Sequence, residues 1–108
     1  MSGFENFFSE IKSNIPQLAQ ASLKQFAGEA GGIMADYLEN AKMDLQSYSL
    51  MLATGGIDKD EFASSVRAKI QVGKMRLLQI KGLAEAAVDE FLSSLEDSVI
   101  SSAFKFLI

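Results

Sequence analysis

The amino-acid sequence predicts an all-α protein: a short N-terminal helix, then a long antiparallel αα-hairpin turning at Gly55-Gly56, the whole assembling into a helical bundle. Three observations predict it. Apolar residues return every three or four positions along most of the chain, the period of a helix face. A single proline interrupts 108 residues, and the β-branched and aromatic runs that suit strands are few. Between Thr54 and Phe62, helix-stop, turn and helix-start signals follow one another without a gap. The reading is one helical domain over residues 1–108, with helices at about 3–13, 15–53 and 59–106.

The first helix opens on Ser2 and Glu5, a capping-box pair whose side chains satisfy backbone N–H groups that lack intrahelical partners. Phe4, Phe8, Ile11, Ile15 and Leu18 then form an apolar seam. Pro16 lies within that seam, removes an N–H and disfavours a helical residue before it. A break near Asn14-Ile15 is expected, with Asn14 and Gln17 restarting the helix so that Pro16 falls in its tolerant first turn.

The second helix carries Leu23, Phe26, Ala30, Met34, Leu38, Ala41, Leu45, Tyr48 and Leu52 on one side. Gly28, Gly31 and Gly32 interrupt its middle, each costing up to about 1 kcal/mol relative to alanine. They imply either a break or a close approach by another backbone. Gly55 and Gly56 end the helix, since a glycine past the last turn readily adopts the left-handed closing conformation.

Asp58 and Glu61 form a further capping box, and Ile57 with Phe62 stands at the positions of a hydrophobic staple. The third helix then meets no proline. Val66, Ile70, Gly73, Leu77, Ile80, Ala84, Ala87 and Phe91 follow a heptad seam, which Leu95, Val99, Ala103 and Phe106 continue after a one-residue slip. Unbroken, this helix would be about 75 Å long; Gly82 is the place for a bend.

Folding the chain about Gly56 pairs residues equidistant from it. Arg67, Lys69, Lys74, Arg76 and Lys81 then face Asp44, Glu39, Asp36 and Glu29, and Glu85, Asp89 and Glu90 face Lys24. Such charges set register more than they add stability, exposed pairs being worth less than about 1 kcal/mol. The same register sets Gly28 and Gly32 against Gly82, for close helix packing or a shared bend, and sets Phe4, Phe7, Phe8 and Ile11 across from Phe104, Phe106, Leu107 and Ile108. Off the seam, Leu50, Met51, Met75, Leu78, Leu83, Val88, Leu92 and Ile100 need further cover. Either the arms bend into a compact bundle, or two hairpins pair into a four-helix homo-oligomer, a dimer or higher; the expectation is the oligomer.

Chemistry is sparse. The chain has no cysteine and no histidine, which removes disulfides, thiolates, the commonest general base and the commonest transition-metal ligand. The segment from Gly55 to Glu61 has the shape of half a calcium loop, yet Leu50 and Leu52 stand where two oxygen ligands belong. Carboxylate pairs such as Asp36 and Glu39, or Glu85 and Asp89, read as solvated or inter-arm groups. Ser64-Ser65, Ser93-Ser94 and Ser101-Ser102 have no base to activate them. No catalytic, cofactor-binding or metal residues are expected, and no cofactor.

A net charge of −4 argues against nucleic acid, because the basic stretch from Arg67 to Lys81 faces acids across the hairpin. The N-terminus lacks the basic-then-apolar pattern of a secretory signal, and no window reaches the roughly 18 apolar residues a bilayer span needs. A cytoplasmic location is therefore expected. The functional expectation is a non-enzymatic interaction, scaffold or regulatory protein, with Phe4, Phe7, Phe8, Ile11, Phe104, Phe106, Leu107 and Ile108 as interface for a second copy or a protein partner. The second reading is a membrane-surface protein using those Phe-rich ends; the third is an enzyme with a carboxylate-based site.

Overall fold

The structure is a computed structural model that describes residues 3–108. Ser2, and with it the first capping box, lies outside the described residues. Among the described residues every regular element is helical: α1 (Gly3–Leu23), a 3₁₀ turn (Lys24–Phe26), α2 (Ala27–Asn40), α3 (Lys42–Thr54), α4 (Lys59–Val72), the one-turn α5 (Lys74–Leu77) and α6 (Glu85–Phe106).

The turn between α3 and α4 follows its sequence signals closely. Gly55 adopts φ 81° as the closing residue of α3, and its N–H donates to the Leu52 carbonyl. Both capping-box bonds form: the Glu61 N–H donates to Asp58 Oδ1 at 2.8 Å, and the Asp58 N–H donates to Glu61 Oε1 at 3.0 Å.

The alignment about Gly56 is kept in several pairs. Of the expected ion pairs across the arms, however, only Lys69 with Asp44 is among the observed ones: Arg67 pairs with Glu96 and Asp97, Lys74 with Glu85 and Asp89, and Glu39 with Lys12. Lys69 Nζ lies 2.6 Å from Asp44 Oδ2, and the Arg76 guanidinium sits 5.3 Å from the Tyr37 ring centre. Phe26 covers Gly82, Asn14 donates to Ser98 Oγ at 3.1 Å, and Ser102 donates to Glu10 Oε2 at 2.6 Å. Each pair is equidistant from Gly56 to within about a turn.

The arms, however, are not straight. The hairpin doubles over on itself, both arms bending at the same level, and the molecule measures 43 × 24 × 20 Å. The first arm bends at Lys24–Phe26, where Lys24 takes φ 52°. α2 then runs back along α1, with Gly31 against Ile15 and Ala19, Lys12 Nζ 3.5 Å from Glu39 Oε1, and Lys42 Nζ 5.0 Å from the Phe8 ring centre. The second arm bends over 78–84, where Gly82 takes φ 88°. The single helix expected at 59–106 is thus three segments, because returning α6 onto α4 and α1 buries Val88, Phe91, Leu92, Leu95 and Val99 completely. Lesser kinks stand at Ala41 and Gly73, again opposite each other. The result is an up-down-up-down bundle of four limbs: α1, α2–α3, α4–α5 and α6.

Two expected breaks move. α1 runs through Asn14, Ile15 and Pro16 without interruption, and Pro16 is exposed. An interior proline costs about 3 kcal/mol, but Ile15 and Leu23, both essentially fully buried, return about 1.5–3 kcal/mol each. The next break falls at Leu23–Phe26 rather than at the glycines, and α2 passes through Gly28, Gly31 and Gly32 as regular helix.

Buried polar groups are matched. Glu96, its side chain 7 % exposed, accepts from Arg67 at 3.0 Å and from Gln71 at 2.6 Å, tying α6 to α4. Tyr37 donates its hydroxyl to the Lys69 carbonyl at 2.6 Å, and its burial raises the phenol's pKa. Lys74 pairs with Asp89 at 2.7 Å and Glu85 at 2.8 Å, acids of its own arm that the bend brings back to it. These bonds, the Asp89 one first, raise the Lys74 pKa.

Candidate functional site

Expected interface residues at the chain ends divide sharply. Phe4, Phe7, Phe8 and Ile11 are core residues, with Phe7 and Ile11 fully buried. Phe4 stacks on Phe8 at 5.8 Å between ring centres, and Phe104 packs near Phe62 at 6.4 Å. Phe104, Phe106 and Leu107 are half-buried, and Ile108 is exposed. The two chain ends therefore cover each other, as the alignment about Gly56 implies, and only the last residues reach the surface.

The expected close packing at the glycines is also redistributed. A Cβ on Gly28 or Gly32 would meet nothing within 4 Å, because both stand on the outer face of α2. Gly31 makes the close approach, to α1. Gly82 meets Phe26 instead of a glycine, since the bend at Lys24–Phe26 puts that ring opposite it.

Exposed apolar side chains remain on α3, at Val72 and Met75 of α4–α5, and at Ile108. Of the eight off-seam residues, Val88 and Leu92 are fully buried, and Leu78, Leu83 and Ile100 are half-buried. Leu50 (64 % exposed), Met51 and Met75 stay on the surface. Met43 and Leu50, seven residues apart, share one helix face, opposite the buried stripe of Leu45, Ser49 and Leu52. The outer face of α3 is thus mixed, Met43 and Leu50 standing among the exposed Gln46, Ser47 and Thr54.

Beside Leu50 lies a groove of about 370 Å³, walled by Phe4 of α1, by Gln46, Ser49 and Ala53 of α3, and by Phe106 and Leu107 at the end of α6. Ala53 and Leu107 also line a second hollow of about 530 Å³, with Ile57, Asp58, Lys59 and Ile108. The first groove has no ionisable side chain in its lining. Its Ser49 hydroxyl donates to the Leu45 carbonyl at 2.7 Å, which engages the one nucleophile-type group present. Among the described residues no group of three or more carboxylates gathers as a metal site. No described helix is long and apolar enough to cross a membrane.

The chain ends are stitched beside this groove by Glu10, which accepts from Ser102 and from Lys105 Nζ at 3.1 Å. The Ser102 bond first, then Lys105, lowers the Glu10 pKa below its ordinary value.

No family model matches the chain, and neither a curated protein nor a solved structure does.

Proposed function

We propose that the protein is a non-enzymatic interaction module that holds an amphipathic helix of a partner protein against α3. The observation that carries this reading is the exposed Leu50 at the lip of an apolar groove whose lining holds no ionisable side chain. Helix-in-groove recognition uses such a surface: one or two apolar anchors of the bound helix enter a hollow between elements of its partner.

Area narrows the occupant. α3 is 13 residues long, so its outer face covers about 20 Å by 10 Å. That is far below the roughly 800 Å² per partner of a standard protein–protein interface. One helix fits it and a whole domain face does not. The groove itself is lined by no ionisable side chain, which suits the apolar face of a bound helix. For the membrane-surface reading, Phe4, Phe7 and Phe8 are buried in the core, which leaves Phe106, Leu107 and the exposed Ile108 at the surface.

The test is a titration of isotope-labelled protein with a synthetic helix of about fourteen residues carrying leucine at i, i+3, i+4 and i+7. Amide shifts confined to Gln46, Ser49, Leu50, Ala53 and Leu107 are expected, and Leu50→Asp should weaken binding about 10- to 100-fold. Shifts scattered elsewhere, or indifferent to Leu50→Asp, would refute the reading. Liposomes that move the same amides more strongly than the peptide would transfer the surface to lipid.

A further inference from the structure

The two ends of this bundle are built differently. At one end, the turn from Gly55 to Asp58 is locked by a left-handed glycine and both capping-box bonds. At the other, the two bends lie where the sequence favours helix. Lys24 stands at φ 52° without being glycine, a conformation that clashes with an L side chain. The linker 78–84 holds one glycine, Gly82, and otherwise residues that suit a helix interior. The helix that follows begins at Ala84, which has no side-chain cap. Both bends meet at one place, where Phe26 lies against Gly82. The apolar seam of the third arm continues straight through it, from Leu77 and Ile80 to Ala87 and Phe91.

We propose that this shared bend is a hinge, and that two copies of the chain open there and exchange halves. In each opened chain α1 joins α2 and α5 joins α6 as continuous helices, while α1 stays paired with α6 in its present alignment. The α1–α6 half of one copy then packs on the α2–α5 half of the other. The contacts between the α1–α6 half and the α2–α5 half are re-formed between chains, while those inside each half stay within one chain, so the helices bury the same faces in both forms. The balance is set by the linkers and by concentration: bent linkers carry the left-handed strain at Lys24, and straight ones relieve it. This exchange does not depend on the groove at α3.

The experiment uses the cysteine-free chain with cysteine pairs added. A Cβ on Gly31 would lie 3.6 Å from that of Ala19, within the range of a disulfide. Ala19→Cys/Gly31→Cys therefore closes within one chain in the monomer and between chains in the exchanged dimer. Asn14→Cys/Ser98→Cys, across α1 and α6, closes within one chain in both. Gly82→Ala opposes the bent linker and favours the helical one in both copies, and should tighten dimerisation about a thousandfold. Lys24→Gly should loosen it.

Light scattering from micromolar to millimolar protein should show the dimer, and small-angle scattering should show a particle near 75 Å long instead of 43 Å. Non-reducing electrophoresis of that dimer should show the Ala19/Gly31 pair linking chains and the Asn14/Ser98 pair not. A Gly82→Ala protein monomeric at millimolar concentration overturns the proposal, as does a dimer whose Ala19/Gly31 disulfides close only within chains. Should Gly82→Ala fail to fold, the otherwise wild-type chain with the Ala19/Gly31 pair is refolded at millimolar concentration. An interchain product that Lys24→Gly suppresses supports exchange, and its absence overturns it. A dimer abolished by Leu50→Asp belongs to the α3 face and overturns it equally.

Discussion

Replacing Pro16 by alanine tests whether burial holds α1 straight against its own sequence. Pro16 stands in the interior of a 21-residue helix and is exposed, at the rim of a hollow it shares with Gly28 and Gly32 of α2, so its ring gains little burial to compensate. It lacks the N–H that would reach the Lys12 carbonyl, and its ring crowds that carbonyl; together these cost about 3 kcal/mol. Proline also stiffens the unfolded chain, and losing it returns about 0.4–1 kcal/mol to the unfolded state. Pro16→Ala should therefore stabilise the protein by about 2 kcal/mol. For a domain of this size that raises Tm by roughly 8–16 °C. Helical circular dichroism, followed through thermal and urea unfolding, measures it directly, with the urea slope unchanged if only stability has moved. Equal or lower stability in Pro16→Ala would refute the reasoning. It would mean that the proline relieves something in α1, and that Ile15, Ala19 and Leu23 are not held against a strained backbone.

Two further outcomes follow from the polar ties. Arg67→Met should cost about 1–2 kcal/mol in urea unfolding, because Glu96 stays buried with only Gln71 to donate to it; the half-exposed guanidinium keeps the figure below that of a fully buried pair. Glu10 gives a pH effect of defined sign. Its folded-state pKa is lowered, so its contribution is full above about pH 4.3, the ordinary glutamate value, and is lost as pH falls through the lower folded-state value. Glu10→Gln should therefore flatten the acid limb of a stability-against-pH curve while leaving its shape above pH 6 or so unchanged; an identical acid limb in wild type and variant would exclude the Ser102 and Lys105 bonds as its origin.

The parts of this fold that local chemistry dictates were legible in the sequence. Asp58 and Glu61 announce their capping box, Gly55 its left-handed turn, and equal distance from Gly56 places Asn14 near Ser98, whereas Gly82 meets Phe26 where the alignment set glycines against it. What was not legible is where a continuous helical pattern folds back. Lys24 is a sound helix residue, and only the gain from packing α2 along α1 forces it to φ 52°. Pro16 is the converse, a breaker overruled by the same packing. The candidate groove was visible in part. Leu50 stood out as an apolar residue off the seam, and of the chain-end residues Phe4, Phe106 and Leu107 wall the groove while Phe7, Phe8 and Ile11 are core. Composition marks a residue as needing cover, and only the fold says whether the same chain provides it.

The positions of the groove and the hinge constrain how they relate. The groove lies at the Gly55 end, walled by the start of α1, the end of α6 and α3, while the hinge lies at the far end of the bundle. In an exchanged dimer the α1–α6 wall comes from one chain and the α3 wall from the other, yet the walls themselves are the same. A helix bound there gains the same contacts in either form. A ligand with equal affinity for two states moves neither, however tightly it binds. Occupancy of the groove should leave the monomer–dimer ratio of the bundle unchanged, provided monomer and dimer offer the same number of grooves per chain. By contrast, a ligand that met only the opened chain, with α1 and α6 lifted away from α2 and α5, would face bare core and oppose both forms at once.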